Sequence, residues 1–282
     1  MSYVKVSEIL KQVDEANTSV IGFNCSNYDM AYSAVAAAEE LRKPVLLMLY
    51  PAHSIEDNMI NFSGFTYMVK ELGEEASIPV AVHLDHCSDI DYISKAIESG
   101  FTSVMYDGSN LPFEENLENT KRVVELASKY GVDVEGELGA IGSQADGNQA
   151  GRRYTDPEEA AIFTRETGVT SLAIDIGSAH GVYKEEPKLD IERLSEINKA
   201  TDTPLVLHGG SGIPDDQLED CFKNGINKFN FSTYFFMAQY HAFFEYCEEH
   251  GKEGTVFPPS KYIQERLIPV AKDRLRLTLG TY

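Results

Sequence analysis

VAVHLDHCS, residues 80–88, opens as a run of β-branched and apolar positions and ends on His83, Asp85 and His86. A short apolar run of this kind is that of a strand buried on both faces, as in a parallel sheet. The segment that follows, DIDYISKAIESG (89–100), has apolar residues at three- and four-residue spacing, an acidic start and a glycine end, which predicts a helix. One strand, a polar strand end and one helix therefore form a unit, and the fold depends on how often that unit recurs.

It recurs along nearly the whole chain. Strands are predicted at SVIGFN (19–24), PVLLMLY (44–50), VAVHLD (80–85), SVMYD (103–107), VDVEGEL (132–138), SLAID (171–175), PLVLH (204–208) and KFNFS (228–232). Helix-like spacing fills 29–43, 116–131, 156–168, 190–200 and 214–225 as well as 89–100. No Ser/Gly/Pro-rich linker or low-complexity segment divides the series, so one domain over residues 1–282 is expected. Eight parallel strands each followed by a helix close into a (β/α)8 TIM barrel at ~250 residues. A doubly wound open sheet is the alternative, but no strand leads into a G-x-G-x-x-G turn. The segment at 259–280, PSKYIQERLIPVAKDRLRLTLG, adds a C-terminal helix that either packs on the barrel or reaches a neighbouring subunit.

Composition limits the partners. A net charge of −21 argues against an extended nucleic-acid or anionic-membrane surface. An anionic metabolite would have to be held locally, by a metal, backbone N–H groups or hydroxyls. The longest apolar run falls well short of the ~20 residues of a membrane span, and Met1–Leu10 lacks the regions of a signal peptide. Cys25, Cys87, Cys221 and Cys247 are widely spaced with no C-x-x-C pair. A soluble cytoplasmic protein with reduced thiols is expected.

In such a barrel the chemistry gathers at the C-terminal strand ends. Those ends carry Asn24, Asp85 with His86, Asp107, Glu137, His180, His208 and Asn230. A single histidine in such a place is more often hydrogen-bonded packing than a ligand, and Asp107 before Gly108 reads first as a turn former. Three of the chain's seven histidines at separate strand ends change the balance. Neutral imidazoles there favour a borderline ion such as zinc, with open positions left for substrate. His83 lies on the face of Asp85 but deeper, as core or support, and His53, His241 and His250 are expected not to be ligands. The glycine-rich turns GSAHG (177–181) and HGGSG (208–212), with Ser211, Ser232 and Thr233, supply hydroxyls and closely approaching N–H groups for phosphate.

With these residues assembled, the chain resembles the class II, metal-dependent ketose-bisphosphate aldolases. The elements HLDHCSD, GFTSVMYDGSNLPFEENLENTK, VEGELG, YTDPEEA, LAIDIGSAHGVYK, EPKLDIERL, PLVLHGGSGIPDD and INKFNFST carry the likeness in order. The resemblance implies an aldehyde-lyase that cleaves a phosphorylated ketose to dihydroxyacetone phosphate and an aldehyde. It implies His86, His180 and His208 as zinc ligands, Asp85 as the acid/base, and Asp107 and Glu137 as carboxylates serving an alternative metal position. Gly181, Gly209, Ser211, Ser232 and Thr233 become phosphate-binding groups, with a sodium or potassium ion beside them in some members. Asn230 contacts the triose, and Asn24 joins the substrate-binding set. Relatives form homodimers or homotetramers.

The residues accommodate that chemistry on their own terms, since cleavage needs a base for the C4 hydroxyl and a Lewis acid for the released electron pair. No lysine ends a strand, and Lys228 is expected to open one, which disfavours a Schiff base. Three positions depart from the family pattern. The loop after the fifth strand reads GSQADG (142–147), with Ala145 where a proton-exchanging glutamate is usual. Tyr50 replaces a small hydroxyl residue, and Ser232 stands where fructose-bisphosphate enzymes often carry Asp. Another phosphorylated sugar or sugar acid of the deoxygluconate type, a catalytically impaired sugar-phosphate-binding homologue, and another metal-dependent barrel lyase or epimerase are the competing expectations.

Overall fold

The computed structural model describes residues 2–139, 154–251 and 259–278. Its strands are β1 (Val20–Asn24), β2 (Val45–Leu49), β3 (Val80–Cys87), β4 (Ser103–Tyr106), β5 (Asp133–Leu138), β6 (Ser171–Ile174), β7 (Leu205–Leu207) and β8 (Ile226–Phe231). They pair in chain order, and the pairing of β1 with β8 closes the sheet into a parallel barrel, as predicted. The helices are α1 (Val6–Glu15), α2 (Tyr28–Leu41), α3 (Pro51–Ile55), α4 (Phe62–Glu75), α5 (Ile90–Glu98), α6 (Phe113–Ser128), α7 (Pro157–Thr167), α8 (Ile191–Ala200), α9 (Asp215–Lys223), α10 (Thr233–His250) and α11 (Ser260–Leu277).

The period-two alternation of each strand sorts side chains between two cores. Ile21, Phe23, Val45, Leu47, Leu49, Val80, Val82 and Leu84 face outward under the helices. The alternate residues Val20, Leu46, Met48 and Ala81 face inward and meet Val6, Ile9, Leu10 and Val13 of α1, which plugs the floor of the barrel. Gly22 belongs to this inward phase. A Cβ there would lie 2.4 Å from Met48 Sδ, so the missing side chain makes room for the methionine. Carried up the strands, the same phase brings Asn24, Asp85, Asp107, Glu137, His208 and Asn230 to the mouth.

Helix starts follow local chemistry. Asn27, Asp89, Asp156 and Asp190 each accept a backbone N–H of the following first turn. α11 packs against α2 and α10 of its own chain, the first of the two placements left open by the sequence. Arg274 reaches Asp215 at 2.7 Å and Gln264 reaches Asp29 at 2.7 Å, with an ion pair from Lys272 to Glu40.

Four helices match none of the helix-like segments of the sequence: α1, α3, α4 and α10. β8 begins two residues earlier than expected, so Lys228 does not open it. That lysine is an inward-facing, fully buried member of the strand. Among the described residues the cysteines are unpaired, and no helix is long and apolar enough to cross a membrane.

Candidate active site

β3 carries an irregularity in its register with β4 between Leu84 and Cys87, and His86 there adopts φ 46°. Regular alternation would send Asp85 inward and His86 outward. A bulge with a left-handed residue re-aims the second side chain, and for a non-glycine residue that backbone state is uncommon and costs energy. Both side chains of the Asp-His pair thereby face the mouth.

Three ring nitrogens meet there. His86 Nε2 lies 2.7 Å from His208 Nδ1 and 3.1 Å from His180 Nε2. The far nitrogens of two of these rings are tied to carboxylates. His86 Nδ1 lies 2.9 Å from Asp107 Oδ2, and His208 Nε2 lies 3.0 Å from Glu135 Oε1. Donation of those outer N–H groups leaves the inner nitrogens with lone pairs pointing at one another, which only a bridging proton or a cation relieves. Glu137 adds an oxygen, its Oε2, that is buried with no hydrogen-bond partner, 3.7 Å from both His86 Nδ1 and His208 Nδ1. An all-imidazole trio with a spare carboxylate fits a divalent ion of the zinc type. Two groups of residues could hold one, His86 with His180 and His208, or His86 with Asp107 and Glu137.

The charges around this point are tightly linked. Burial opposes a charge on His86, but Asp85, Asp107 and Glu137 outweigh it and raise its pKa to about 10. Burial and the neighbouring His86 lower His180 to about 3 and also lower His208. Burial, then Asp107, pushes Glu137 well above the usual carboxylate range. For Asp107 the hydrogen bond with His86 overcomes burial and holds the carboxyl down, and the Ser109 hydroxyl adds a 2.7 Å bond.

Asp85 sits beside the trio with both oxygens fixed. Asn24 Nδ2 donates to Oδ2 and Asn230 Nδ2 donates to Oδ1, each at 2.9 Å. Burial raises its pKa, but His86, His208 and Lys228 prevail and set it at about 2. The carboxylate is thus ionised and aligned, with lone pairs left over.

A cavity of about 490 Å³ opens over this centre. The expected anion-binding groups Gly181, Gly209, Ser211, Ser232 and Thr233 line one side of it, after β6, β7 and β8. Gly209 has φ 68°, and its carbonyl accepts a 2.9 Å bond from the Tyr183 hydroxyl, which also accepts Ala179 N–H at 2.7 Å. Ser211 Oγ accepts the Tyr234 N–H at 3.3 Å, linking the glycine turn to the start of α10.

Residues 4–278 match the family described as fructose-bisphosphate aldolase class-II. The chain belongs to the class II aldolases. It is 43% identical over 236 residues to a probable fructose-bisphosphate aldolase of Bacillus subtilis, covering 83% of this chain and 82% of that one. It is 37% identical over 277 residues to a 6-phospho-5-dehydro-2-deoxy-D-gluconate aldolase of Shouchella clausii, covering 96% and 91%. Among solved structures, the YdjI aldolase of Escherichia coli K12 superposes with a TM-score of 0.85 at 29% identity, covering 98% of this chain and 97% of that one. The aldolase is accordingly a carbon-carbon lyase, of a family that is generally metal-dependent and acts on phosphorylated sugars.

Beneath the histidines the class II aldolase carries a buried layer centred on Glu135, a residue that had no part in the sequence prediction. Lys228 Nζ donates to Glu135 Oε2 at 2.8 Å and Oε1 at 3.0 Å. His83 Nδ1 lies 2.8 Å from Ser103 Oγ, and its Nε2 is 3.9 Å from Glu135 Oε2. His83 is therefore the supporting residue it was expected to be. Glu135 shares the inward phase of Glu137 two positions on, which was the available signal. Among the other histidines, His53 lies outside the trio yet lines the cavity. Ala145 and its loop lie outside the described residues.

Proposed function

We propose that this aldolase reversibly cleaves a phosphorylated ketose or sugar acid to dihydroxyacetone phosphate and an aldehyde, with a zinc ion held by His86, His180 and His208. The convergence of those ring nitrogens beside an ionised, doubly anchored Asp85 is the observation that supports it most. A zinc ion bound there supplies the Lewis acidity that stabilises the negative charge released by C–C cleavage.

The protein's own groups do the rest. Asp85 takes the proton of the C4 hydroxyl, the O–H electrons form the aldehyde carbonyl, and the C3–C4 electron pair passes to the triose half as an enediolate. Asn24 and Asn230 keep the Asp85 carboxylate in one orientation, and Asn230 extends toward the triose. Gly181, Gly209, Ser211, Ser232 and Thr233 hold its phosphate through N–H and hydroxyl donors, with room for a monovalent cation beside them. Asp107 and Glu137 provide the alternative metal position.

Fully buried and held by both Glu135 oxygens, Lys228 has no free amine to offer a substrate carbonyl. Ala145 favours a second reading, a sugar-phosphate-binding homologue that does not turn over. We extend the main reading to a cytoplasmic homodimer or homotetramer, supported by the exposed Met237, Tyr240, Phe243 and Phe244 of α10.

Release of dihydroxyacetone phosphate from a panel of ketose phosphates and sugar acids, with Asp85→Ala as control, tests this function. Cleavage of at least one member that depends on Asp85 is expected. Tight binding without cleavage of any member would favour the second reading, and neither binding nor cleavage would overturn both.

A further inference from the structure

In a closed eight-stranded barrel the loops after β2, β3 and β4 stand across the mouth from those after β6, β7 and β8. The two sides of this mouth differ in chemistry. The second side carries the glycine turns and hydroxyls that suit a phosphate. On the first side, beyond Asp85, His86 and Asp107, the described residues that line the cavity are Tyr50, His53, Ser88, Ser109 and Asn110, all uncharged hydrogen-bonding residues. Burial lowers the His53 pKa and so keeps its ring neutral.

His53 is the most specific of these. It sits on α3, which starts directly after β2, and its ring is 4.8 Å from the Phe236 ring and 5.5 Å from the Tyr50 ring. Its Nδ1 is buried with no hydrogen-bond partner. The Tyr50 and His53 rings, which both line the cavity, together with one unanswered polar atom suit the C–H face of a polyol carrying a hydroxyl, whereas a phosphate requires charged or clustered N–H donors.

Given the aldolase reading above, we propose that His53 and Tyr50 form a specificity subsite for an uncharged, hydroxyl-bearing carbon of the aldehyde half, so that the preferred ketose carries one phosphate rather than two.

The test runs the reaction in the synthetic direction on the zinc-loaded protein, with dihydroxyacetone phosphate as donor. The acceptors are glyceraldehyde, erythrose, propanal and glyceraldehyde 3-phosphate. The wild type is expected to have a higher kcat/KM for glyceraldehyde and erythrose than for glyceraldehyde 3-phosphate. His53→Phe keeps the aromatic contact and removes the nitrogen. It should lower the glyceraldehyde-to-propanal ratio of kcat/KM about tenfold, mainly through KM, and His53→Asn should restore part of it.

A wild type that prefers glyceraldehyde 3-phosphate would overturn the proposal. So would a His53→Phe variant that melts like the wild type and leaves the glyceraldehyde-to-propanal ratio unchanged. A wild type that condenses none of the aldehydes would instead remove the aldolase reading on which the proposal rests, and that result is seen before any variant is compared.

Discussion

Glu135 Oε1 accepts the Nε2–H of His208 at 3.0 Å, while the same carboxylate receives Lys228 Nζ at 2.8 and 3.0 Å. One buried carboxylate therefore fixes the tautomer of a site histidine and neutralises the lysine below it. The His208 Nδ1 lone pair is free to face His86 because its other nitrogen is committed.

Glu135→Gln retains an acceptor for His208 but removes the charge, and zinc affinity is expected to fall roughly 10- to 100-fold. Competition with a chromophoric chelator measures it. Glu135→Ala leaves Lys228 charged, buried and unpaired, with an expected loss of about 3–5 kcal/mol in denaturant unfolding. Unchanged zinc affinity in both variants would separate His208 from Glu135.

Asp85→Asn keeps the shape of the Asn24 and Asn230 contacts but cannot take a proton. Turnover is expected to fall about 10²- to 10⁴-fold while zinc stoichiometry and KM change little. Steady-state kinetics with metal analysis checks both. A comparable loss of zinc would mean that Asp85 supports the metal rather than the proton transfer.

A metal bound at His86 would compete with a proton for the same nitrogen. The pKa of His86, about 10 in the folded protein, exceeds the 6.5 of an ordinary histidine, so its contribution to the stability of chelated protein is complete below 6.5 and is lost as pH rises through about 10. Over that window zinc binding must displace a proton, and apparent zinc affinity should rise about tenfold per pH unit. Calorimetry in buffers of different ionisation enthalpy reads the proton release. Zinc binding with no proton release near pH 8 would contradict this.

Gly209 combines φ 68° with crowding, since a Cβ would sit 2.4 Å from Ala179 O, a backbone atom that cannot swing away. Gly209→Ala is expected to destabilise the protein by at least about 1 kcal/mol and to weaken binding of dihydroxyacetone phosphate. Thermal melts with and without that ligand check it. Wild-type ligand stabilisation in the variant would place the phosphate elsewhere.

The barrel was legible because each strand is apolar in phase with its neighbours and each helix has its own apolar spacing. The strand-end residues were legible because the closed barrel brings its loops over one mouth. Glu135 and Lys228 were not, because the pairing that makes them tolerable inside the barrel joins positions 93 residues apart. His53 escaped for a related reason. Beyond the strand end, in PAHS (51–54), the histidine carries no signal that it faces the mouth, and its ring reaches the cavity where α3 packs against Phe236. The backbone at His86 was equally hidden, since alternation alone places it on the wrong face of β3. The plug helix α1 had a readable signal in Val6, Ile9, Leu10 and Val13, whose spacing is helical.

Cleavage at this site is expected to depend on a metal at the three histidines rather than on an amine. The direct measurement is dihydroxyacetone phosphate release by protein as purified, after exhaustive chelation and after zinc is restored, each with and without borohydride. Activity lost on chelation, recovered with zinc and insensitive to borohydride is the predicted result. Activity that survives chelation and is abolished by borohydride in the presence of substrate would contradict it.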